Sequence, residues 1–424
     1  MSNSVPPTGA VRLLEMVADH PVGHVEHRAR YGSLPLRGFG GPRGPMLLAD
    51  TAARARLTGR GGAGFPLATK LRAVATQPRG PAVVVANGAE GEPASRKDRT
   101  LLGRVPHLVL DGAVLAADAV GADTVHVCVH PGPAVAVVTH AVAERGRAGV
   151  DPVFIQVHEV PGRYVASQET ALIGWLGGGP ALPTFTPPRP SERGVRGRPT
   201  LVSNVETLAQ LALLARYGER WYAEVGTPEA PGSVLLTVGG AVARPAVQEV
   251  AYGTRLGTVL DDAGAGGLAA VLLGGYFGSW LPMPDAGDLE IAPETLRAAG
   301  AALGAGVILA LPRGGCGLAD TARIVTWLAD QNAGQCGPCV NGLPAIAGAL
   351  DALAAGRADR ELVHRLRHWL TRVERRGACQ HPDGVARLVR STLQVFDAEV
   401  QRHLRGDRCA PGGSMLPSAQ RRSA

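Results

Sequence analysis

The sequence predicts an α/β fold built from more than one compact unit, on three observations. A glycine-rich stretch at 57–66 runs into a helical segment and is followed by PAVVVANG, an apolar run of the kind buried on both faces of a parallel sheet. Residues 233–284 break into strand-like runs separated by Gly and Pro turns. Beyond them, 294–400 carries helical periodicity, as in RIVTWLADQ and RELVHRLRHWLTRVERR. A chain of 424 residues exceeds one ordinary domain, so two to four units are expected.

Composition narrows the function classes. Aromatic residues make up only 4%, so the cores must be built from Ala, Val and Leu, and 57 Gly with 33 Pro imply many tight turns. The net charge of +7 is spread over scattered arginines, with no dense basic run or aromatic interleaving; nucleic-acid binding is not expected. Of 43 basic residues only Lys70 and Lys97 are lysine, which singles out these two positions. The six cysteines, at 128, 316, 336, 339, 379 and 409, are too dispersed for a disulfide framework, and reduced thiols in a cytoplasmic setting are expected. The start lacks the basic and apolar regions of a signal peptide. The uncharged run from Ala263 to Pro284 holds six glycines and two prolines and reads as a buried strand pair, not as a membrane helix.

The first element is LTGRGGAGFPLATKL (57–71). Glycines let the backbone approach a phosphate, the following helix offers N–H groups and a positive dipole end, and Lys70 can add a point charge. The spacing is neither that of a Walker loop nor a strict G-x-G-x-x-G, and a plain glycine-rich turn is the alternative. The second element is the strand Val83–Ala86, which reads as parallel; Asn87, Glu90 and Glu92 lie just past its C-terminal end, where open α/β sheets bind ligands. The third is QNAGQCGPCVNGL (331–343), whose C-x-x-C could be a metal knuckle, a redox pair or chance.

Taken in order, GRGGAGFPLATK, NGAEGEPASRKDR, GRYVASQETALIGWL (162–176), RPTLVSNVETLA (198–209) and CGPC followed by a distant Cys resemble one family. It is the flavoprotein subunit of respiratory NADH dehydrogenase (complex I), with its relatives in NAD-linked hydrogenases and formate dehydrogenases. The resemblance runs from about residue 45 to about 408. It implies an N-terminal extension (1–45), a Rossmann-like FMN- and nucleotide-binding domain (46–230) and a small ubiquitin-like β-grasp domain (231–290). A helical iron–sulfur-binding domain (291–408) and a disordered tail (409–424) complete the implied order.

By this resemblance Gly59, Arg60, Gly61, Gly62 and Lys70 would hold the FMN phosphate and ribityl chain. Asn87, Glu90, Tyr164, Asn204 and Thr207 would line the flavin. Phe65, Glu92 and Glu169 would face NAD(H) or NADP(H), with Glu92 as the catalytic carboxylate. Electrons would pass from the nucleotide through FMN to a 4Fe–4S cluster and on to another redox subunit, a ferredoxin-like acceptor or quinone. The protein would be cytoplasmic or peripheral to a membrane complex. A scaffold that keeps the fold without the chemistry is the reading from a different class.

The chain departs from the family pattern in two places. Ala333 stands where the family has its first cluster cysteine, so Cys336, Cys339 and Cys379 supply three of the four thiolates a cubane normally takes. The fourth position falls to Cys409, His381, a partner chain or solvent; a three-iron form, no metal at all, or Cys336, Cys339, Cys379 and His381 on zinc, are the rivals. Cys316 and Cys128 read as packing residues. On the nucleotide side Ala89 and Gln168 replace carboxylates, Ala73 and Arg189 replace stacking rings, and arginines 189, 193, 196 and 198 accumulate. These changes predict a shift towards NADPH or loss of the nucleotide.

Overall fold

In the computed structural model, residues 6–16, 18–36, 44–78, 80–407, 409 and 414–416 are described. The chain divides into two compact units, one formed by 1–235 with 249–253, the other by 236–248 with 254–424.

The first unit is a four-stranded, wholly parallel sheet of β1 (Ala82–Gly88), β2 (Ala122–Val129), β3 (Phe154–Glu159) and β4 (Thr200–Asn204) in the order β3-β2-β1-β4. The helices of this unit are α1 (His24–Tyr31), α2 (Gly44–Arg54), α3 (Leu67–Ala75), α4 (Lys97–Arg104), α5 (Pro106–Val120), α6 (Ala134–Ala148), α7 (Glu169–Leu176) and α8 (Val205–Tyr222). The expected strand at Val83–Ala86 lies within β1, and these four residues are buried because helices take up the apolar surface around them. Helix α5 is buried along nearly its whole length, and its Gly112 lies against α8 so tightly that a methyl group there would sit 1.8 Å from the Leu208 carbonyl oxygen. That close approach is why a helix interior carries a glycine at this point.

Strand order decides where a ligand can enter. From β1 the chain moves outward to β2 and β3, then returns to the other side of β1 as β4. The crevice at such a reversal, past the carboxyl ends of the strands, is the general ligand position in open α/β sheets. Asn87 and Asn204 are register partners at those ends.

The N-terminal residues belong to this unit as packed structure. The Glu249 carboxylate accepts the backbone N–H groups of Arg12, Leu13 and Leu14 at 2.7–2.9 Å, and Leu13 and Val22 are buried.

The second unit holds a five-stranded mixed sheet, in the order β6-β5-β9-β7-β8, and a set of helices. Its strands are β5 (Ser233–Gly240), β6 (Ala246–Ala251), β7 (Leu268–Leu273), β8 (Ser279–Pro282) and β9 (Val307–Pro312), and α9 (Leu256–Asp262) and α10 (Pro293–Ala298) lie between them. The apolar run read as a strand pair is the antiparallel pair β7 and β8. Within the segment read as helical, VILALP forms β9, a continuous apolar run closed by Gly306 and Pro312 and buried between β5 and β7. Five helices follow, α11 (Gly317–Asp330), α12 (Leu343–Ala354), α13 (Arg360–Val373), α14 (His381–Val395) and α15 (Asp397–Leu404). Most of the predicted tail lies outside the described residues, but Ser414–Leu416 are held against α11 and not disordered. Ser414 Oγ and the Met415 N–H both donate to Asp320, at 2.6 and 3.0 Å. Among the described residues no single helix is long and apolar enough to cross a membrane.

Candidate functional site

The glycine loop is a tight hairpin. Gly59 N–H donates to the Phe65 carbonyl at 2.8 Å, Leu67 N–H to the Leu57 carbonyl at 3.0 Å, and Thr58 bridges Pro66. Gly62 (φ 104°) and Gly64 (φ 61°) take left-handed backbone that side chains disfavour. A Cβ on Gly61 would stand 3.3 Å from the Asn204 Cβ, so this glycine lets the loop lie against the crevice.

Arg60 does not reach into that crevice. Its side chain is buried, with the guanidinium donating to Thr58 Oγ1, Tyr222 Oη and the Ser233 carbonyl, stacked 4.8 Å from the Tyr252 ring and 3.8 Å from Glu206. Its N–H donates to Thr207 Oγ1 at 2.8 Å. Arg60 and Thr207, expected at the phosphate and the flavin, therefore clamp the root of the loop from inside. Burial opposes the guanidinium charge, but Tyr252, Tyr222 and Glu206 outweigh it and hold the pKa above its ordinary value.

Below the strand ends lies a buried charged network. Lys97 Nζ contacts Asp98 at 2.8 Å, Glu206 at 2.9 Å and Asn204 Oδ1 at 3.3 Å, and all three charged side chains are at most 6% exposed. Asn204 caps α8 through Oδ1 to the Glu206 N–H, while its Nδ2 donates to Asp98 and to the Asn87 carbonyl. Burial pushes Asp98 up to about 6 against the pull of Lys97. Lys97 is held above its ordinary value, because Asp98 and Glu206 outweigh the cost of its own burial. Glu90, at positive φ (27°), accepts the N–H groups of Asp98 and Arg99 and the Ser95 hydroxyl, so its carboxylate sits at the N-terminus of α4. Asn87 donates to the Ser167 carbonyl and accepts the Ala89 N–H. Gly91 packs where a Cβ would meet Ser167 Oγ at 2.4 Å and the Tyr164 carbonyl at 2.6 Å. Thus the 87–92 loop is seated on the Tyr164–Ser167 turn.

On the open side, Lys70 Nζ lies 3.0 Å from Glu169 and 3.0 Å from the Val202 carbonyl, with both side chains about one-third exposed. Phe65 is 42% exposed, and Glu92 is buried with Oε1 accepting the Ala94 N–H at 3.3 Å. Gln168, standing for a carboxylate, caps α7 through Oε1 to the N–H groups of Thr170 and Ala171. Arg198 donates to the carbonyls of Pro81 and Ala82 and pairs with Asp123, so it braces β1; Arg189, Arg193 and Arg196 are exposed. The cradle suits a phosphate-bearing ligand: glycine backbone without side-chain cover, a half-buried ammonium, and a rigid polar floor at the reversal of strand order.

In the second unit the three expected thiols are electrostatic neighbours. Burial first, then Cys336, pushes the buried Cys339 thiol up to about 12, and burial also raises Cys379. Against burial, the backbone at Ala333 pulls the Cys339 thiol down and the backbone at His381 pulls that of Cys379 down. Backbone that favours the thiolate suits sulfurs bound to a metal cluster, which would displace the protons. The His381 ring is buried, with Nε2 bonding the Leu328 carbonyl at 2.8 Å and the ring packed edge-on against Phe277.

A different trio comes together at Cys316, His403 and Cys409, whose ligand atoms all lie within 4.8 Å of one another. By sequence Cys316 reads as packing and Cys409 as one of several candidates for the fourth cluster position; the fold instead sets the two side by side. The Lys97 network and this trio carry only faint sequence signals, the rarity of lysine and the presence of a late His and Cys.

The fold and this cradle define an α/β nucleotide- and flavin-type protein with a cysteine-bearing helical unit, and comparison with known proteins agrees. Residues 52–213 match the family model of the Nuo51 FMN-binding domain, and 319–403 that of the NADH-ubiquinone oxidoreductase-F iron-sulfur binding region. An F-type subunit of NADH-quinone oxidoreductase from Rhizobium meliloti (strain 1021) is 29% identical over 411 residues, covering 92% of this chain and 97% of that protein. The F-type subunit from Mycobacterium tuberculosis (strain CDC 1551 / Oshkosh) is 31% identical over 387 residues, 85% of each chain. A crystal structure of NAD+-reducing NiFe hydrogenase in the H2-reduced state matches with TM-score 0.82 and 30% identity, over 94% of this chain and 67% of that one. This chain belongs to the family of F-type subunits of NADH-quinone oxidoreductase.

Proposed function

We propose that this chain is the NADH-oxidising electron-transfer subunit of a larger redox assembly, with FMN in the cradle and an iron–sulfur cluster at Cys336, Cys339 and Cys379. The observation that carries this reading is the glycine hairpin clamped by Arg60 and Thr207 at the reversal of strand order, with Lys70 on its open side. Bound FMN supplies acceptance of a hydride and release of its electrons one at a time. Lys70 Nζ adds positive charge for the phosphate, and Glu169 orients that ammonium. Asn87 and Asn204 set the floor of the crevice, and Glu92 and Phe65 border the nucleotide side. The intact clamp favours this reading over a non-catalytic scaffold.

The nucleotide preference follows from charge. Gln168 keeps the cap of α7 without a negative charge, while Arg189, Arg193 and Arg196 are exposed nearby in sequence. Tolerance of a ribose 2′-phosphate, and hence of NADPH beside NADH, is the expected consequence. The five-stranded sheet around β5–β8 serves as the β-grasp element, and neighbouring redox subunits take the electrons onward.

The test is anaerobic titration of the FMN-reconstituted chain with NADH and with NADPH, following flavin bleaching. Bleaching by both supports the proposal. A strong preference for NADH overturns the nucleotide shift, and failure to retain FMN from excess overturns the flavin assignment itself.

A further inference from the structure

We propose that Cys316, His403 and Cys409 form a second metal site, a Zn2+ site of three protein ligands with solvent in the fourth position, that uses none of the three cluster thiols. Cys316 is the N-cap of α11, its sulfur accepting the Ala319 N–H at 3.4 Å, and burial keeps the thiol protonated until a metal displaces the proton. Glu399 and His403 are one helical turn apart on α15, so both side chains leave the same face. Glu399 Oε2 lies 3.5 Å from Cys316 Sγ, and His403 Nε2 lies 3.8 Å from Cys316 Sγ and 3.2 Å from Cys409 Sγ. A zinc tetrahedron with ordinary Zn–S and Zn–N bonds has edges of roughly 3.5–3.8 Å; the two His403–sulfur separations, 3.8 and 3.2 Å, lie close to that range, and all three ligand atoms fall within 4.8 Å of one another.

The imidazole is set for coordination. His403 is buried, and Nδ1 lies 3.2 and 3.0 Å from the carbonyls of Leu353 and Ala354, which fixes the proton on that nitrogen. Nε2 is thereby left with its lone pair directed at the two sulfurs, the arrangement by which an outer carbonyl orients a metal-bound histidine. The Cys409 N–H now donates to Nε2 at 3.3 Å, a contact that a cation would replace. Two thiols alone could form a disulfide, but a buried imidazole oriented between them has no part in one. The site would pin the segment at Cys409 to the start of α11, near the Asp320 contacts that hold Ser414 and Met415.

The full-length chain, carrying Cys336→Ser, Cys339→Ser and Cys379→Ser to remove the cluster ligands, is made metal-free under reducing, anaerobic conditions and titrated with Zn2+ and with Co2+. One equivalent of zinc should bind, and cobalt should give the intense visible bands of tetrahedral coordination with thiolate charge transfer. Adding Cys409→Ser, at a position outside the helices, should weaken binding by more than the roughly 10–100-fold lost with an outer-shell partner. His403→Gln should do the same, with circular dichroism confirming that the chain is folded. Zinc uptake unaffected by Cys409→Ser overturns the site. So does recovery of Cys316 and Cys409 as a disulfide with no metal uptake after reduction.

Discussion

The glycine cradle and the cysteine loop both hold charge inside protein of low dielectric, and they do so in opposite ways. Around the cradle each buried charge already has its partner: Lys97 with Asp98 and Glu206, Glu90 with the N-terminus of α4, Arg60 with Tyr222 and Ser233. Among the three cluster cysteines, burial raises the Cys339 and Cys379 thiols, so a negative charge arrives there only with a metal. A preorganised site loses little on binding, whereas a site whose ligands must deprotonate couples its order to the cofactor.

The largest effect is expected where that difference is most direct. Lys97→Ala strands Asp98 and Glu206 without their cation and should cost about 3–5 kcal/mol of folding stability with no ligand present. Urea unfolding followed by circular dichroism measures it, and a loss below about 1 kcal/mol would show that the network does not hold the cradle. Lys70→Ala removes a partly exposed ammonium and should leave folding intact. FMN binding, read from flavin fluorescence quenching, should weaken by about 1.5–3 kcal/mol.

A smaller effect concerns pH. His107 is buried beside Glu144, and burial, reinforced by His27, lowers its pKa to about 4. The unfolded chain takes this proton near pH 6.5, whereas the fold refuses it until about pH 4. Between those values the unfolded state binds more protons, so the stability contributed by His107 is present above about 6.5 and is lost as pH falls. Wild type should therefore lose stability relative to His107→Asn between about pH 7 and about pH 5 in paired urea curves. Parallel curves would refute the assignment.

The smallest change in folding is expected at Ala333→Cys, within about 0.5 kcal/mol for the metal-free chain. Its value lies in the cluster. With three thiolates one iron lacks its usual ligand and should be lost on mild oxidation, giving a three-iron centre with its own paramagnetic signal. Position 333 is where the family places its first cluster cysteine, so a thiolate added there should retain four irons. Equal iron loss from both proteins would place the fourth ligand elsewhere.

Much of this is legible in the residues. PAVVVANG has to be a buried parallel strand because it is apolar on both faces, and the glycine spacing has to be a tight turn because Gly62 and Gly64 occupy left-handed backbone. Order of motifs along the chain is enough for the family and its cofactors. Side-chain direction is not legible: Arg60 sits in the loop motif yet points inward, and Gln168, which resembles a lost nucleotide contact, is a helix cap.

The sequence by itself determined the α/β class and the family, because each of these depends on local chemistry or on the order of motifs along the chain. Only the tertiary structure decided which polar groups are supports and which face a ligand. Lys97 meets Glu206 across more than a hundred residues, and His403 meets Cys316 across 87, pairings set by how helices and strands pack. His381, two residues from Cys379, shows the same limit from the other side. Closeness in sequence brought it next to the thiols on paper, and only the fold shows that its Nε2 is taken by the Leu328 carbonyl.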